Sequence, residues 1–163
     1  GVALGPGSFT SLRIGLAAAK GMALAVNVPV IGIPSLDVTA AGQPVTDLPL
    51  AAILQAGRGR LAVGWYRARG RRWESQGQPL VMTAEGLSAQ IQSPTMIAGE
   101  LTAAERQLLA RKRKNALLAS PAMSMRRPSI LAELAWRRWQ SGGVDDVIGL
   151  APIYLHTAEA IPE

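Results

Sequence analysis

Short apolar segments and longer helical segments alternate along this chain. Val2–Leu4 is apolar and leads into a Gly-Pro-Gly turn. Phe9–Val26 has the length and composition of a helix, which Asn27 can close and Pro29 prevents from continuing. Val30–Ile33 is apolar and rich in β-branched residues, which predicts a strand. Since a helix separates the two strands, we expect them to be parallel.

The alternation continues beyond a linker-like segment, Pro44–Pro49. Further strands are predicted at Leu50–Leu54, Leu61–Tyr66, Met96–Ala98 and Ala116–Ala119, and near Trp73. Further helices are predicted at Ser35–Ala41 with Ser35 as its cap, after Thr83, after the capping-box pair Thr102 and Glu105, and at Pro128–Gln140. This pattern predicts an α/β fold with mixed sheets flanked by helices. The linker divides it into an N-terminal lobe, residues 1–48, and a C-terminal lobe, residues 49–163.

The composition excludes several kinds of chemistry. The chain has 163 residues, of which 48% are hydrophobic and 17% charged, a globular balance. It has no cysteine and a single histidine, His156, so disulfides, thiolate zinc sites, cysteine nucleophiles and His–His metal pairs are excluded. A Ser–His–Asp triad would depend on His156 alone. We therefore expect no catalytic residues and no metal site.

Positive charge is concentrated in the middle of the chain. The formal net charge is +6, and residues 58–138 carry 15 basic and 5 acidic side chains. Such a region either contacts RNA or forms a solvated basic face. The candidate RNA contacts are Arg58, Arg60, Arg111, Lys112 and Arg113. The interleaved Trp65, Tyr66 and Trp73 could stack on bases, but packing between strands is the favoured interpretation.

Two tryptophans mark the last predicted helix. Trp136 and Trp139 are three residues apart, close to Leu131 and Leu134. This spacing predicts that both rings pack into a core, with the arginines at 137 and 138 facing outward.

The first turn has the elements of an anion site. A strand, a glycine turn and a helix N-terminus present backbone amides that suit phosphate, with Gly5, Gly7, Ser8 and Thr10 as candidate contacts. The Walker loop is missing, because no lysine occurs before Lys20. A tight turn into a packed helix is the alternative interpretation.

Small residues follow one side of the first helix. Ser11, Gly15, Ala18, Ala19 and Ala23 are spaced three and four apart, so another helix could approach that side closely. Glycine inside a helix costs about 1 kcal/mol relative to alanine, which such an approach would justify. The approaching helix could belong to this chain or to another subunit.

The beginning of the chain predicts that a preceding part of the protein is missing. Gly1 stands where an initiator Met would be, and the first residues resemble the end of a buried strand rather than a signal peptide. The apolar stretch 14–33 is interrupted by Lys20, Asn27 and Pro29, so we expect a cytoplasmic protein without a membrane span.

Residues 1–41 contain a dense set of motifs: Gly5-Pro6-Gly7-Ser8-Phe9-Thr10, Leu12-Arg13-Ile14-Gly15-Leu16-Ala17, Lys20-Gly21, Pro29-Val30 and Ser35-Leu36. With these motifs the segment closely resembles the TsaB (YeaZ) family. A looser match covers residues 50–67 and Ala151-Pro152-Ile153-Tyr154-Leu155. The resemblance implies an actin-like (ASKHA, ribonuclease H-like) fold whose first lobe is incomplete here.

The resemblance also implies a function. Members of this family are dimerization subunits of the machinery that forms threonylcarbamoyladenosine in tRNA. They bind and activate the TsaD-type transferase, and a TsaE-type ATPase and tRNA join through the complex. The implied interface residues are Phe9, Ser11, Leu12, Gly15, Ala18, Ala19, Met22 and Ala23. Pairing with a second copy is a further expectation, as is ATP or ADP at the partner interface.

The sequence departs from the family pattern in two of its motifs. Ser11 replaces the glycine that usually follows the Gly-Pro-Gly-Ser-Phe-Thr motif, and Gln55-Ala56-Gly57-Arg58-Gly59-Arg60 lacks two acidic residues of the corresponding family segment. The loss of the acidic residues weakens a ligand role for residues 55–60 and makes this turn basic. Two alternative functions stay open, a nucleotide-binding ASKHA ATPase and a tRNA-binding accessory protein. The historical glycoprotease label of the family finds no support in this residue inventory.

Overall fold

A computed structural model describes residues 1–155, in which strands and helices alternate as the sequence predicts. The strands are β1 (Val2–Gly5), β2 (Gly32–Pro34), β3 (Leu50–Gln55), β4 (Leu61–Arg69), β5 (Arg72–Ser75), β6 (Leu80–Met82), β7 (Thr95–Gly99) and β8 (Ala116–Leu118). The helices are α1 (Phe9–Val26), α2 (Ser35–Ala41), α3 (Ala84–Gln90), α4 (Ala103–Ala110) and α5 (Pro128–Gln140).

The first sheet pairs β1 with β2 in parallel, as expected for strands joined by a helix. Its two faces are covered by different helices. Val2 and Leu4 pack against Leu16 and Ala23 of α1. Residues of β2 and the segment before it pack against α5 together with α2. The sheet is therefore the middle layer between α1 and α5.

The second sheet has six strands in the order β5-β4-β3-β7-β8, and β6 pairs with β4. β3 is antiparallel to β4 and parallel to β7, and β7 is parallel to β8, so the sheet is mixed as predicted. Helices α3 and α4 bury Leu87 and Leu109 against one face, while α2 buries Leu36 against the other. The residues of β3 from Leu50 to Leu54 are at most 1% exposed, because helices cover both faces.

The helix ends agree closely with the residues that signal them. α1 begins after the cap residue Ser8 and ends at Asn27, which adopts the left-handed conformation. α4 has the complete capping box of Thr102 and Glu105. α5 begins with Pro128, which needs no amide hydrogen bond at that position.

One local prediction is wrong, and one strand was missed. Ser35 does not cap α2: Pro34 occupies the cap position, and the Ser35 hydroxyl is buried without a hydrogen-bond partner. Strand β6 was not predicted, because its three residues carry too short a pattern.

The tryptophans of α5 are not core residues either. Trp136 is 55% exposed and Trp139 is 45% exposed, and their ring centroids lie 4.9 Å apart. The helix turns Ala135 towards the first sheet, which leaves both rings on its flank. Arg137 and Arg138 are both exposed as predicted, although the Arg138 guanidinium also donates to the carbonyl of Gly32 at 2.8 Å.

Candidate functional site: the outward side of helix α1

The side of α1 that points away from β1 is apolar and open. Ile14 and Met22 are each 65% exposed, Leu24 is 72% exposed and Val26 is 67% exposed. Isolated exposed apolar residues are common, but a helix that is apolar all round is normally buried on all sides. We call this surface the outward side of α1, with Ile14, Gly15, Ala18, Gly21, Met22 and Ala25 at its centre.

No charge lies on the outward side, because both charged residues of α1 contact the chain's own C-terminal segment, residues 145–155. Arg13 Nε donates to the Tyr154 hydroxyl at 3.0 Å, and its guanidinium carbon lies 4.1 Å from the centroid of the Phe9 ring. Lys20 Nζ donates to the carbonyl of Ile148 at 3.2 Å. The helix thereby presents an apolar surface to its surroundings and uses its cations within the fold.

The glycines of α1 are not required by contacts within the described chain. A Cβ added at Gly15 or Gly21 would meet no atom within 4 Å. Each glycine weakens the helix by about 1 kcal/mol relative to alanine. Nothing in the packing of residues 1–155 offsets that cost, which is consistent with close approach by a second helix from outside.

The predicted interface residues divide between two sides of the helix. Phe9, Ser11, Gly15, Ala18 and Met22 are exposed.

Ala23 was predicted to lie at the partner interface, but it is only 6% exposed and packs on Val2 and Leu4. Leu12 and Ala19 are half-buried on the same inward side. Spacings of three and four identify a side of a helix but not the direction in which it points, so the predicted strip extends onto the wrong side.

Sequence reasoning missed three exposed residues of α1, namely Ile14, Leu24 and Val26. The predicted strip was defined by small residues, so these larger side chains were not part of it. The available signal was the absence of a polar side anywhere along the helix, since a half-buried helix ordinarily has one.

The glycine turn is partly filled by its own chain. A Cβ on Gly5 would lie 2.8 Å from both the Ile153 carbonyl oxygen and Leu12 Cδ1. The Ile153 amide donates to the Leu4 carbonyl at 2.7 Å, so the C-terminal segment is fixed against this turn. Ser8 Oγ accepts from the amide of Ser11 and caps the helix. Phosphate binding by Gly5, Gly7, Ser8 and Thr10 stays a prediction. In such a site the buried Gly5 would shape the turn by allowing the close packing of Ile153 and Leu12.

The structure separates the predicted RNA contacts into two groups. Arg58 and Arg60 lie in the turn that follows the carboxyl end of β3, whereas residues 111–113 precede the amino end of β8. Because β3, β7 and β8 are parallel, these groups lie at opposite edges of the sheet.

The aromatic residues among the basic ones serve packing: Tyr66 is 4% exposed, and Trp65 and Trp73 pack against the two cores of the sheet.

A buried polar pair joins α2 to the second sheet. The Tyr66 hydroxyl donates to Asp37 Oδ1 at 2.6 Å. Burial raises the pKa of Asp37, although the hydrogen bond from Tyr66 acts in the opposite direction. Burial and the neighbouring Asp37 carboxylate raise the pKa of Tyr66, so its hydroxyl keeps its proton and remains a donor.

Comparison with known proteins identifies the family. The profile of TsaD, described as tRNA N6-adenosine threonylcarbamoyltransferase, matches residues 1–151. The tRNA threonylcarbamoyladenosine biosynthesis protein TsaB of Bacillus subtilis (strain 168) is 31% identical over 163 residues, which cover 98% of this chain and 69% of that protein. The chain belongs to the TsaB (YeaZ) family. This family takes part in the biosynthesis of threonylcarbamoyladenosine in tRNA.

Two solved structures confirm the fold. YeaZ from Pseudomonas aeruginosa superposes with a TM-score of 0.71 at 23% identity, covering 94% of this chain and 71% of that one. A second structure, of a protein similar to peptidase YeaZ from Pseudomonas aeruginosa, gives a TM-score of 0.74 at 22% identity with the same coverage. The actin-like fold expected from the sequence is therefore confirmed.

Proposed function

We propose that this TsaB-family chain is a non-catalytic subunit that binds and activates a TsaD-type threonylcarbamoyltransferase through the outward side of α1. The observation that carries the proposal is the apolar, charge-free exposure of this 18-residue helix. Burying such a surface on a partner gains about 25 cal/mol per Å² of apolar area.

A TsaD-type partner is favoured because this chain itself matches the TsaD profile over residues 1–151. A TsaD-type protein is thus expected to present a related helix at the corresponding place. Two related helices can pack side by side about a pseudo-two-fold axis, as identical ones do in a symmetric dimer. The same geometry permits a second copy of this chain to occupy the surface when the partner is absent. A TsaE-type ATPase and tRNA would then join through the assembled complex.

The non-catalytic role is supported by what the polar groups around α1 do. Arg13 and Lys20 contact the C-terminal segment, and Ser8 caps the helix, so their polar atoms are engaged in the fold. The turn that would receive a phosphate is narrowed by Ile153 and Leu12. ATP or ADP at the partner interface remains part of the proposal, because the partner would supply the other side of such a site.

A membrane is a weaker candidate for the outward side of α1. The helix is long and apolar enough to cross one by length and composition, with a mean hydropathy of 1.3. Its inward side, however, packs Leu16 and Ala23 on β1, and its cations contact the chain's own carbonyl and hydroxyl groups. A spanning helix would lose these contacts, whereas a docked helix keeps them.

The proposal is tested by a matched pair of substitutions at one position. Gly15→Leu places a large side chain at a point where the fold leaves open space, and Gly15→Ala adds only a methyl group. Both variants should raise the free energy of unfolding by up to about 1 kcal/mol, because both remove a helical glycine. Only Gly15→Leu should block the close approach of a second helix.

The measurement is the dissociation constant for a purified TsaD-type protein, together with tRNA modification by the reconstituted system. We expect Gly15→Leu to lose binding by at least about 100-fold and to abolish the chain's stimulation of modification. Gly15→Ala should retain both. If Gly15→Leu binds the partner as tightly as Gly15→Ala does, the docking surface is elsewhere.

A further inference from the structure

A groove lies between α2, the β4–β5 hairpin and the carboxyl end of α5. Its volume is about 960 Å³, and five arginines line it: Arg69, Arg71, Arg72, Arg137 and Arg138. The only acidic residue among its lining residues in the described chain is Asp37. The fold thus brings together two arginine groups that are 65 or more positions apart in the sequence.

The arginines of the groove differ in how far the fold engages them. Arg138 is structural, since it donates to the carbonyl of Gly32 and to Asp145. Arg69 pairs with Glu74, and Arg137 pairs with Glu133, but all four side chains are at least 47% exposed. Exposed pairs of this kind are weak, so a phosphate can compete for these guanidinium groups.

Arg71 and Arg72 form no salt bridge within residues 1–155. They follow Gly70, whose positive φ of 60° places the tight turn of the hairpin at the rim of the groove. Both side chains are exposed. Free guanidinium groups on a rigid hairpin are suited to binding phosphate oxygens in pairs.

The floor of the groove is rigid. Trp73 Nε1 donates to the carbonyl of Gln43 at 3.2 Å, which fixes β5 to the segment after α2. The Tyr66 hydroxyl donates to Asp37, which fixes β4 to α2. Because the groove is already ordered, little free energy is lost in ordering its backbone when an anionic ligand binds.

We propose that this groove binds the phosphate backbone of RNA, with Arg71 and Arg72 as its principal phosphate contacts and Arg69 and Arg137 as secondary ones. The inference rests on the proposed role in tRNA modification, which supplies tRNA as the RNA in question. The groove involves none of the residues on the outward side of α1, so one chain could hold a protein partner and an RNA at the same time. The sequence alone placed the RNA contacts at residues 58–60 and 111–113 instead.

The test measures binding of an unmodified tRNA transcript to the whole chain across a salt series. The variant is Arg71→Ala/Arg72→Ala, and the matched control is Lys114→Ala/Arg127→Ala, which removes the same charge from exposed positions outside the groove. The groove variant should weaken binding by about tenfold or more at low salt, and its slope of log K against log salt should fall by about two. The control should change neither quantity comparably.

Two further measurements separate this inference from the proposed function. The groove variant should bind the TsaD-type partner normally, whereas Gly15→Leu should bind tRNA normally. If both double variants weaken tRNA binding equally, or neither does, the groove is not the RNA site. The groove proposal also fails if the groove variant loses affinity for free ATP while its affinity for tRNA is unchanged, because the ligand would then be a nucleotide.

Discussion

Helix α1 is apolar on two sides that meet different surroundings. On its inward side, Leu16 and Ala23 are each 6% exposed and pack on β1. On its outward side, Ile14 and Met22 are each 65% exposed, with no contact of comparable extent in the described chain. The hydropathy of the residues is alike on both sides, so hydropathy alone does not reveal which side belongs to the fold and which to a partner.

The two sides differ in the positions of glycine and of charge. Leucine and alanine, such as Leu16 and Ala23, make up the inward side, whereas Gly15 and Gly21 lie on the outward one. Arg13 and Lys20 lie where α1 meets the C-terminal segment. For the docking surface that we propose, helical glycines without a packing role and cations turned away from the surface are better indicators than its apolar residues.

The largest expected effect concerns the inward side. Leu16→Ala should lower the free energy of unfolding by roughly 2–5 kcal/mol, because it leaves a cavity between α1 and β1. Urea unfolding followed by circular dichroism measures it. Ala17→Ser, at the adjacent exposed position, is the control and should change stability by less than about 0.5 kcal/mol. Equal effects of the two substitutions would mean that α1 does not pack as described.

The next effect concerns the outward side. Ile14→Glu/Met22→Glu should leave the free energy of unfolding nearly unchanged, since both side chains are exposed. Affinity for a TsaD-type protein should fall by about 100-fold, or about 2.7 kcal/mol, because two charges would be buried in an apolar interface. Isothermal titration calorimetry measures the affinity.

The control for this pair is Met125→Glu, at a methionine that is 68% exposed away from α1. It should bind the partner as the unsubstituted chain does. A large loss of unfolding free energy in Ile14→Glu/Met22→Glu would show instead that the outward side contributes to the chain's own fold.

A smaller effect is expected where the C-terminal segment meets α1. Tyr154→Phe removes the hydroxyl that accepts from Arg13 but keeps the ring, whose centroid lies 5.2 Å from that of Phe9. The free energy of unfolding should fall by about 1 kcal/mol or less, because the contact is exposed. Arg13→Gln tests the same contact from the other side but also removes the cation above the Phe9 ring, so the double variant should lose no more than Arg13→Gln alone. Fully additive losses would contradict the contact.

The smallest effect is pH-dependent and lies away from α1. Burial raises the folded-state pKa of Asp37 above its unfolded value, so its contribution to stability is present at low pH and is lost as pH rises through the folded pKa. Relative to the unsubstituted chain, Asp37→Asn should therefore become more stable as the pH rises from about 4 to neutral. Asn still accepts the hydrogen bond from Tyr66. Asp47→Asn, at an exposed site, is the control, and an identical trend in both variants would contradict the prediction.

The sequence predicts the regular elements well where local chemistry determines them. The bounds of α1 and α5 follow from Ser8, Asn27 and Pro128, and the capping box of α4 follows from two residues. The family resemblance led to the actin-like fold, which the solved structures confirm. For the helix ends, the deciding contacts lie within a few residues along the chain.

Long-range packing explains what could not be predicted. Trp136 and Trp139 have the spacing of core residues, yet α5 turns Ala135 inward because the first sheet lies on that side. The basic groove joins residues 69–72 to residue 137, and only the folded chain shows that they are neighbours. The division of the chain into lobes at residue 48 and the role of the predicted interface residues stay predictions.

The C-terminal segment has a consequence for biosynthesis. Ile153 pairs with Leu4, and Tyr154 and Ile148 receive the cations of a helix formed from residues 9–26. On the ribosome, the first of these residues is made more than a hundred codons before the last. Until residues 148–154 have been synthesised, Arg13 and Lys20 lack these hydrogen-bond acceptors. Helix α1 therefore gains its full set of contacts only after the C-terminal segment has left the ribosome.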